Sequence, residues 1–221
     1  MKITISNEIL DSVPKFNIAV IKLNGNIQKY ILLDEEINKI EEEIDNQYNI
    51  EDVIKIPNIL DARNAYKAFG KDPSRYRLAC ESLFRRLSKG NKLYRINNAV
   101  DAGNLLSIKT QKSVAVLDLD EIKGDILIRL GKDTDDYHGI GRGKLNIDRI
   151  PLYEDDLGPF GSTTSDTERT MITSKTKNIL VFIISFNGSK QLEEDINLCK
   201  EIFENFVDVN IISSTIIPKG E

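Results

Sequence analysis

The longest uninterrupted apolar segment of this sequence runs only from Ile179 to Ile184. A membrane-spanning helix needs about 18 or more consecutive apolar residues, so the sequence offers no candidate span, whereas a segment of this length suits a β-strand. The opening residues, Met1 to Glu8, alternate apolar and polar side chains and lack the charged and apolar regions of a signal peptide. We therefore expect a cytoplasmic protein.

The sequence contains enough apolar material for one folded unit. Its 221 residues are 40% hydrophobic and 29% charged, which suits one domain with its own core. Apolar residues are spread over the whole length, and this argues against intrinsic disorder. We expect a single domain over residues 1–221.

The spacing of the apolar residues changes from helical to alternating near Ser113, which predicts an α+β fold. Residues 2–31 predict strands, with Asn24-Gly25-Asn26 as the turn of a hairpin, and Pro57 marks a break. Asp34 and Asp72 are predicted helix N-caps. The predicted helices are 33–44, 61–69, 72–87, 97–108 and 189–206, and the later predicted strands are 114–119, 126–130, 145–152, 179–186 and 207–217.

The formal net charge of −5 is a near cancellation of two blocks. Residues 34–52 hold nine acidic side chains and one lysine, and residues 63–95 hold ten basic side chains and two acidic ones. The basic block could neutralise several phosphates of a nucleic acid. A solvated face, or a face paired with the acidic helix, explains the block equally well.

Cysteine and histidine are scarce, which limits the chemistry available to the chain. Cys80 and Cys199 lie far apart in helical patterns and predict two buried, reduced thiols. Any zinc site or nucleophilic triad would have to use the single histidine, His138. We expect neither a metal ion nor an organic cofactor.

A polar stripe follows one face of the helix predicted over residues 97–108. Asn97, Asp101 and Asn104 share this face, with Asn98 at its edge. Asparagine and aspartate are poor residues for a helix interior, so the stripe suggests recognition of an ammonium group or a ribose hydroxyl. A buried network that holds loops in place is the alternative.

Three other segments carry polar chemistry, each with a simpler interpretation beside it. Asp118 and Asp120 share a strand face and could act together in acid–base chemistry, or they could end the strand and cap a turn. The glycines from Gly139 to Gly143 resemble a phosphate loop, but the following segment predicts a strand, which favours a tight turn. The hydroxyl-rich run 162–170 predicts a long loop, and loops of this kind are often functional.

The order of these segments resembles a known family. The matching residues include Asn97-Asn98-Ala99-Val100-Asp101, Asp118-Leu119-Asp120, Gly139-Ile140-Gly141 and Arg169-Thr170, all within residues 76–184. Together they resemble the B3/4 domain of the phenylalanyl-tRNA synthetase beta subunit, and more closely the free-standing proteins that consist of this domain. Residues 1–60 would add an N-terminal strand hairpin and an acidic helix.

The resemblance implies a mixed, partly barrel-like β core with flanking helices and an editing activity that hydrolyses the ester of mischarged tRNA. Such hydrolysis orients a water molecule and holds the ammonium of the amino acid, without a covalent nucleophile. The catalytic candidates are then Asp101, Asn104 and Asp118. The substrate-binding candidates are Asn97, Asn98, Asp166, Glu168, Arg169, Gly139 and Gly141, and the tRNA-binding candidates are Arg75, Arg85, Arg86 and Lys89.

Two positions depart from the synthetase pattern. Ala115 stands where the bacterial synthetase has a pocket histidine, and Met171 stands where it has a glutamate. One hypothesis is therefore a free-standing deacylase that uses other groups. The alternative is a non-catalytic module that binds RNA or an amino acid, and a hydrolase of another small ester or amide is a third possibility. The sequence indicates no oligomeric state and no ATP site.

Overall fold

Two four-stranded β-sheets lie face to face, and a layer of helices covers the outer face of one of them. The computed structural model describes residues 1–27 and 31–218. The strands are β1 (Ile3–Ile5), β2 (Asn17–Gly25), β3 (Val114–Asp118), β4 (Ile126–Leu130), β5 (His138–Gly139), β6 (Gly143–Lys144), β7 (Pro151–Asp155), β8 (Gly158–Ser162), β9 (Asn178–Ser185) and β10 (Val209–Ile217). The helices are α1 (Asn7–Ser12), α2 (Ile31–Gln47), α3 (Pro57–Ala68), α4 (Ala79–Leu87), α5 (Asn98–Thr110) and α6 (Leu192–Phe206).

The central sheet has the strand order β10-β2-β9-β3, and all of its pairs are antiparallel. The second sheet has the order β1-β4-β7-β8, in which only β1 and β4 are parallel. This architecture confirms the α+β prediction with flanking helices. Over the described residues the two sheets stay open, and neither closes into a barrel.

Strand β9 is buried on both faces, which explains the apolar run that begins at Ile179. Ile179, Val181 and Ile183 pack into the core under helices α2, α4, α5 and α6. The alternate residues Leu180, Phe182 and Ile184 pack into the core between the two sheets, which α1 and α3 also cover. The central sheet is therefore a partition between two cores.

Helix α5 packs closely on the central sheet. A Cβ atom at Gly103 would lie 2.3 Å from Cγ2 of Val116 on β3, so only glycine allows this approach. Just after the helix, the Nζ atom of Lys112 lies 2.8 Å from Oδ2 of Asp195 on α6, and both side chains are largely buried. The two helices are thus joined by an ion pair as well as by apolar packing.

The predicted N-terminal hairpin is wrong. Strand β2 runs through Asn24 and Gly25, the residues assigned to the turn, and pairs with β9 on one side and β10 on the other. Both of its edges are therefore occupied by strands that are remote in sequence. The predicted second arm, from Ile27 onward, runs into residues 28–30, which lie outside the described residues.

Several predicted boundaries also move for local reasons. Helix α2 already includes Asp34 in its first turn, so Asp34 is not the N-cap. Pro57 is the first residue of α3 rather than a break. Proline has no backbone N–H, but the N–H of the first residue of a helix has no partner within the helix, so nothing is lost at this position. The Asp72 carboxylate accepts a hydrogen bond from the Ser74 backbone N–H (2.9 Å) and caps a turn, so α4 begins only at Ala79.

The strand predicted over residues 145–152 begins later, at Pro151. Residues 147–150 form a turn in which the Ile150 N–H donates to the Ile147 carbonyl (3.0 Å). Arg149 has a φ of 58°, in the left-handed region, which a strand does not allow. The remaining strands predicted after residue 113 and helices α5 and α6 are confirmed with shifts of a few residues at their ends, whereas α1 lies within the segment 2–31 that was predicted as strands.

Candidate functional site

An open cleft of about 470 Å³ lies between the β5–β6 hairpin and the segment after β8. Its lining consists of Asp136, His138, Gly139, Gly141, Gly143, Pro159, Thr167, Glu168 and Arg169. Four of the predicted substrate-binding residues therefore meet here: Gly139, Gly141, Glu168 and Arg169. The glycine-rich segment is a tight turn between strands, as the sequence indicated.

The hairpin is fixed to the hydroxyl-rich loop behind it. The Ile140 N–H donates to the backbone carbonyl of Asp166 (2.9 Å). A Cβ atom at Gly139 would lie 3.0 Å from Oγ of Ser165, so glycine permits this close approach. The cleft therefore has a loop of defined conformation, residues 162–167, as its inner wall.

Hydrogen bonds within this loop hold Asp166 inward. The Ser162 hydroxyl donates to the Ser165 carbonyl (2.8 Å), and the Ser162 N–H donates to Oδ1 of Asp166 (3.3 Å). The carboxyl group is enclosed although part of the residue reaches the surface. Burial raises the pKa of Asp166 from 3.8 to about 7, against a smaller opposing effect of the Ser162 hydrogen bond.

Two buried tyrosines, Tyr137 and Tyr153, lie near this carboxyl group, and a third, Tyr66, lies near these two. Tyr66 of α3 shares hydrogen bonds with the hydroxyls of Thr163 (2.5 Å) and Thr164 (3.0 Å), and burial raises its pKa to about 12. Burial, reinforced by the charge of Asp166, also raises the pKa values of Tyr137 and Tyr153. These tyrosines escaped the sequence analysis, because they come from three separate elements and look like ordinary core residues.

Glycine also makes room for Asp166 beside the tyrosines. A Cβ atom at Gly161 would lie 2.7 Å from both Oδ1 of Asp166 and Cδ2 of Tyr153. The carboxyl group and the ring therefore meet over the bare backbone of β8. Any larger residue at this position would force one of them to move.

Of the two charged residues Glu168 and Arg169 at the mouth of the cleft, only Glu168 is available to a ligand. Arg169 makes a bidentate ion pair with Asp155 (2.8 and 3.0 Å) and also donates to the carbonyls of Glu121 and Gly158. Its charge is therefore committed to anchoring the segment. Glu168 is exposed and, within residues 1–27 and 31–218, has no ion-pair partner, so the mouth offers a free negative charge.

The polar stripe of α5 lies elsewhere. Asn97 is the N-cap of the helix and accepts a hydrogen bond from the Val100 N–H (3.0 Å), while the Asp101 carboxylate accepts one from the Ile96 N–H (3.0 Å). Asn98 is buried and Asn104 is half-buried. Because α5 packs on the helical side of the central sheet, the stripe does not meet the cleft, which lies beside the second sheet.

Asp118 acts at the end of β3, as the simpler interpretation proposed. It accepts hydrogen bonds from the Asp120 N–H (3.0 Å) and from the Thr176 hydroxyl, and it is buried. Ala115 is buried between the sheets, and Met171 is 42% exposed. The positions that hold polar pocket residues in the bacterial synthetase are thus apolar here and lie in different environments.

The basic block divides into committed and available charges. Arg63 is half-buried and pairs with Glu81 (2.8 and 2.9 Å), and Arg95 pairs with Asp34 (3.1 Å) and Glu41 (2.8 Å) of the acidic helix. Arg85 and Arg86 are half-buried, and Arg86 stacks on the ring of Tyr94 at 4.0 Å. The exposed cations of the block include Arg75, Arg77 and Lys89.

Two of the exposed cations precede a segment that contacts the loop behind the cleft. The N–H of Ala79, at the start of α4, donates to the carbonyl of Thr163 (2.9 Å). Arg77 is two residues from Ala79, so their Cα atoms are at most about 7 Å apart. The exposed segment 75–77 therefore adjoins the loop that carries Asp166.

Comparison with solved structures gives the same fold. The chain is similar to an N-terminal fragment of the phenylalanyl-tRNA synthetase beta subunit from Pyrococcus horikoshii, with a TM-score of 0.52 and 13% sequence identity. The similarity covers 99% of this chain and 54% of that one, so the chain spans about half the length of the fragment. At this identity the likeness concerns the fold.

Comparison with sequence families identifies the domain. No curated protein matches the sequence. The family model of the B3/4 domain matches residues 61–214, a region that includes the cleft, the Asp166 loop and the exposed cations. This match covers more than half of the chain and confirms the resemblance found in the motifs. The chain belongs to the B3/4 domain family.

Proposed function

We propose that this protein binds tRNA that carries an amino acid, with the aminoacyl end in the β5–β6 cleft. The observation that carries the proposal is the hydrogen bond between Ala79 and Thr163 (2.9 Å), which joins the start of α4, just after the exposed arginines, to the loop whose Thr167 lines the cleft. Arg75 and Arg77 would contact phosphates near the acceptor end. Glu168 would attract the ammonium group of the amino acid.

Family membership and fold support the same assignment. The similar structure is a fragment of a tRNA synthetase subunit, and the similarity covers 99% of this chain. The tRNA would be bound by an exposed basic surface of this chain. The exposed cations of residues 75–92 are candidates for that surface, and Arg63, which pairs with the buried Glu81, is not.

A charge-reversal experiment tests the binding. Arg75→Glu combined with Arg77→Glu should weaken binding of aminoacylated tRNA at least tenfold and lower the slope of log K against log salt by about 1 to 2. Filter binding at several salt concentrations measures both quantities. The matched control is Lys123→Glu with Lys175→Glu, two exposed lysines at the Asp118 end of β3. Equal losses in both double variants, or no loss in either, would refute the proposed surface.

Hydrolysis of mischarged tRNA is the second candidate, and Asp166 is the observation that favours it. A carboxyl group with a pKa near 7 is suited to activate a water molecule at neutral pH, because its protonation state changes in the working range. Thr167, the residue that follows Asp166, lines the open cleft, which can hold the ester. Neither Asn97 nor Asp101 would be required, since both cap their own helix.

A deacylation assay over a panel of mischarged tRNAs tests this candidate. We expect Asp166→Asn to slow ester loss about a hundredfold or more while tRNA binding persists, and the wild-type rate to rise with pH through about 7 as the carboxyl ionises. Asp133→Asn, at an exposed position, is the control, and Asn104→Ala should leave the rate unchanged. If the wild-type protein accelerates no ester loss, the chain is a binding module.

A further inference from the structure

A second cleft lies at the β1 edge of the second sheet, on the other side of that sheet from the β5–β6 cleft. It has a volume of about 690 Å³ and opens between β1, the edge strand of the second sheet, and β10, the edge strand of the central sheet. Strand β8 and the β5–β6 cleft lie at the other edge of the second sheet. The volume is in the range of pockets that bind small molecules.

The walls of this cleft are apolar at one end. Val20 of β2 and Ile217 of β10 face the space between the sheets, and Ile3, Ile5 and Leu10 line it from the other side. Ile3, Ile5, Leu10 and Ile217 are only partly buried, although they pack against the core between the sheets. A ligand with an apolar body would complete the burial of these side chains.

The other end of the cleft carries a cation and hydroxyl groups. Lys22 follows Ile18 and Val20 at alternate positions of β2, so it faces the same space between the sheets. Its direct partner across the strand pair is Ser213, and Thr215 pairs with Val20. Directly paired residues of an antiparallel ladder share a face, so both hydroxyls line the cleft beside the lysine.

The charge of Lys22 is available for a ligand. Among the residues that the structure describes, Lys22 has no hydrogen bond or ion pair, and no acidic residue lines the cleft. A lysine that points between two sheets without a carboxylate partner is unusual, because partly buried charges are normally paired. An anionic group would supply the missing partner and could also accept hydrogen bonds from Ser213 and Thr215.

We propose that this cleft binds a small carboxylic acid with an apolar body, its carboxylate at Lys22 and its apolar part between Val20, Ile217 and Leu10. From Ser213 to Ile217 the strand rises by about 13 Å, which sets the length of the apolar part. This site is separate from the β5–β6 cleft, and its proposal does not depend on the tRNA binding proposed above. It adds a small-molecule partner to the chain.

Calorimetry with decanoate, below its micelle concentration, tests the site, with decanol as the uncharged comparison. We expect decanoate to bind more tightly than decanol. Lys22→Met should weaken decanoate binding about tenfold or more and leave decanol unchanged, because a charge-assisted contact is lost while the apolar walls remain. Lys175→Met is the charge-matched control and should have no effect.

A blocking variant locates the binding. Thr215→Trp, at an exposed position of β10 that lines the cleft, should abolish binding of both compounds while the melting temperature stays near that of the wild type. The proposal is overturned if decanoate fails to bind, if both compounds bind equally well, or if Thr215→Trp still binds decanoate. The proposal would also be overturned if the protein formed a dimer through β10 and this dimer persisted when decanoate was added. A second copy of the chain would then occupy the cleft.

Discussion

At the scale of single residues, the burial of one carboxyl group dominates the chemistry of the molecule. Asp166 is held inward by Ser162 and lies near Tyr137 and Tyr153, which are themselves near Tyr66. Its pKa of about 7 lies above the value of 3.8 expected in the unfolded chain. The folded protein therefore binds a proton that the unfolded chain has already released at pH 5 to 6.

This difference predicts a dependence of stability on pH. The contribution of Asp166 to the free energy of unfolding becomes less favourable as pH rises from about 4 to about 7 and is constant above that range. Asp166→Asn should therefore be more stable than the wild type by about 2 kcal/mol at pH 8, less than the full shift implies because the residue is partly exposed. The advantage should vanish near pH 4.

Urea unfolding at a series of pH values measures this effect. Asp133→Asn, at an exposed position, should follow the wild type throughout. The expectation would be contradicted if the wild type became more stable as pH rises from about 4 to about 7 and Asp166→Asn were the less stable protein above pH 7, since the carboxyl group would then be ionised and stabilising in the folded protein.

The sequence identified Asp166 as a candidate but could not indicate its environment. The three tyrosines belong to α3, to the segment before β5 and to β7, and only the fold brings them together. Asn97 and Asp101 illustrate the opposite case. Their spacing is that of a polar face, but it is equally the spacing of a helix N-cap and its first turn, and the hydrogen bonds decide between these interpretations.

At the scale of elements, a buried ion pair between Lys112, just after α5, and Asp195 of α6 adds to the apolar contact between the two helices. Lys112 and Asp195 are 2.8 Å apart with side-chain exposures of 3% and 11%. Burial raises the pKa of Asp195, and the nearby lysine opposes this effect. Removal of the lysine would leave a buried carboxylate without its cation, which is costly, whereas removal of both charges is not.

Lys112→Met should therefore lower the free energy of unfolding at neutral pH by about 3 kcal/mol. The double variant Lys112→Met with Asp195→Leu should return to within about 1 kcal/mol of the wild type. Urea unfolding of the two single variants and the double variant gives the coupling between the residues. Lys109 of α5 forms a pair with Glu36 of α2 that is more exposed than the pair of Lys112 with Asp195. Lys109→Met should therefore cost less than about 1 kcal/mol. Similar losses at positions 109 and 112 would contradict the assignment of a buried pair.

Elements with strong local periodicity were predictable, and elements defined by remote partners were not. Helices α5 and α6 and strands β4 and β9 follow from the spacing of their apolar residues. The predicted hairpin at Asn24 was wrong because backbone hydrogen bonds to neighbouring strands can override a local turn signal. Here the pairing with β9 and β10 extends β2 through Asn24 and Gly25. No local pattern reports which strands will occupy the two edges of β2.

At the scale of the whole molecule, the charge blocks and the layers explain how one chain can offer separate surfaces. Part of the basic block neutralises the acidic helix through Arg95, which leaves Arg75, Arg77 and Lys89 exposed. The two clefts open at opposite edges of the second sheet. Nothing in the described part of the chain forms a helix that is long and apolar enough to cross a membrane.

The position of β2 between β9 and β10 has a consequence for biosynthesis. Ile18 pairs with Ile184 and with Ile217, so both neighbours of β2 are made long after it. During translation β2 has two open edges and apolar residues on both faces, which is the condition that favours wrong strand pairing. We expect the central sheet to assemble only after residues 178–217 have left the ribosome, and until then both edges of β2 are open to wrong pairing.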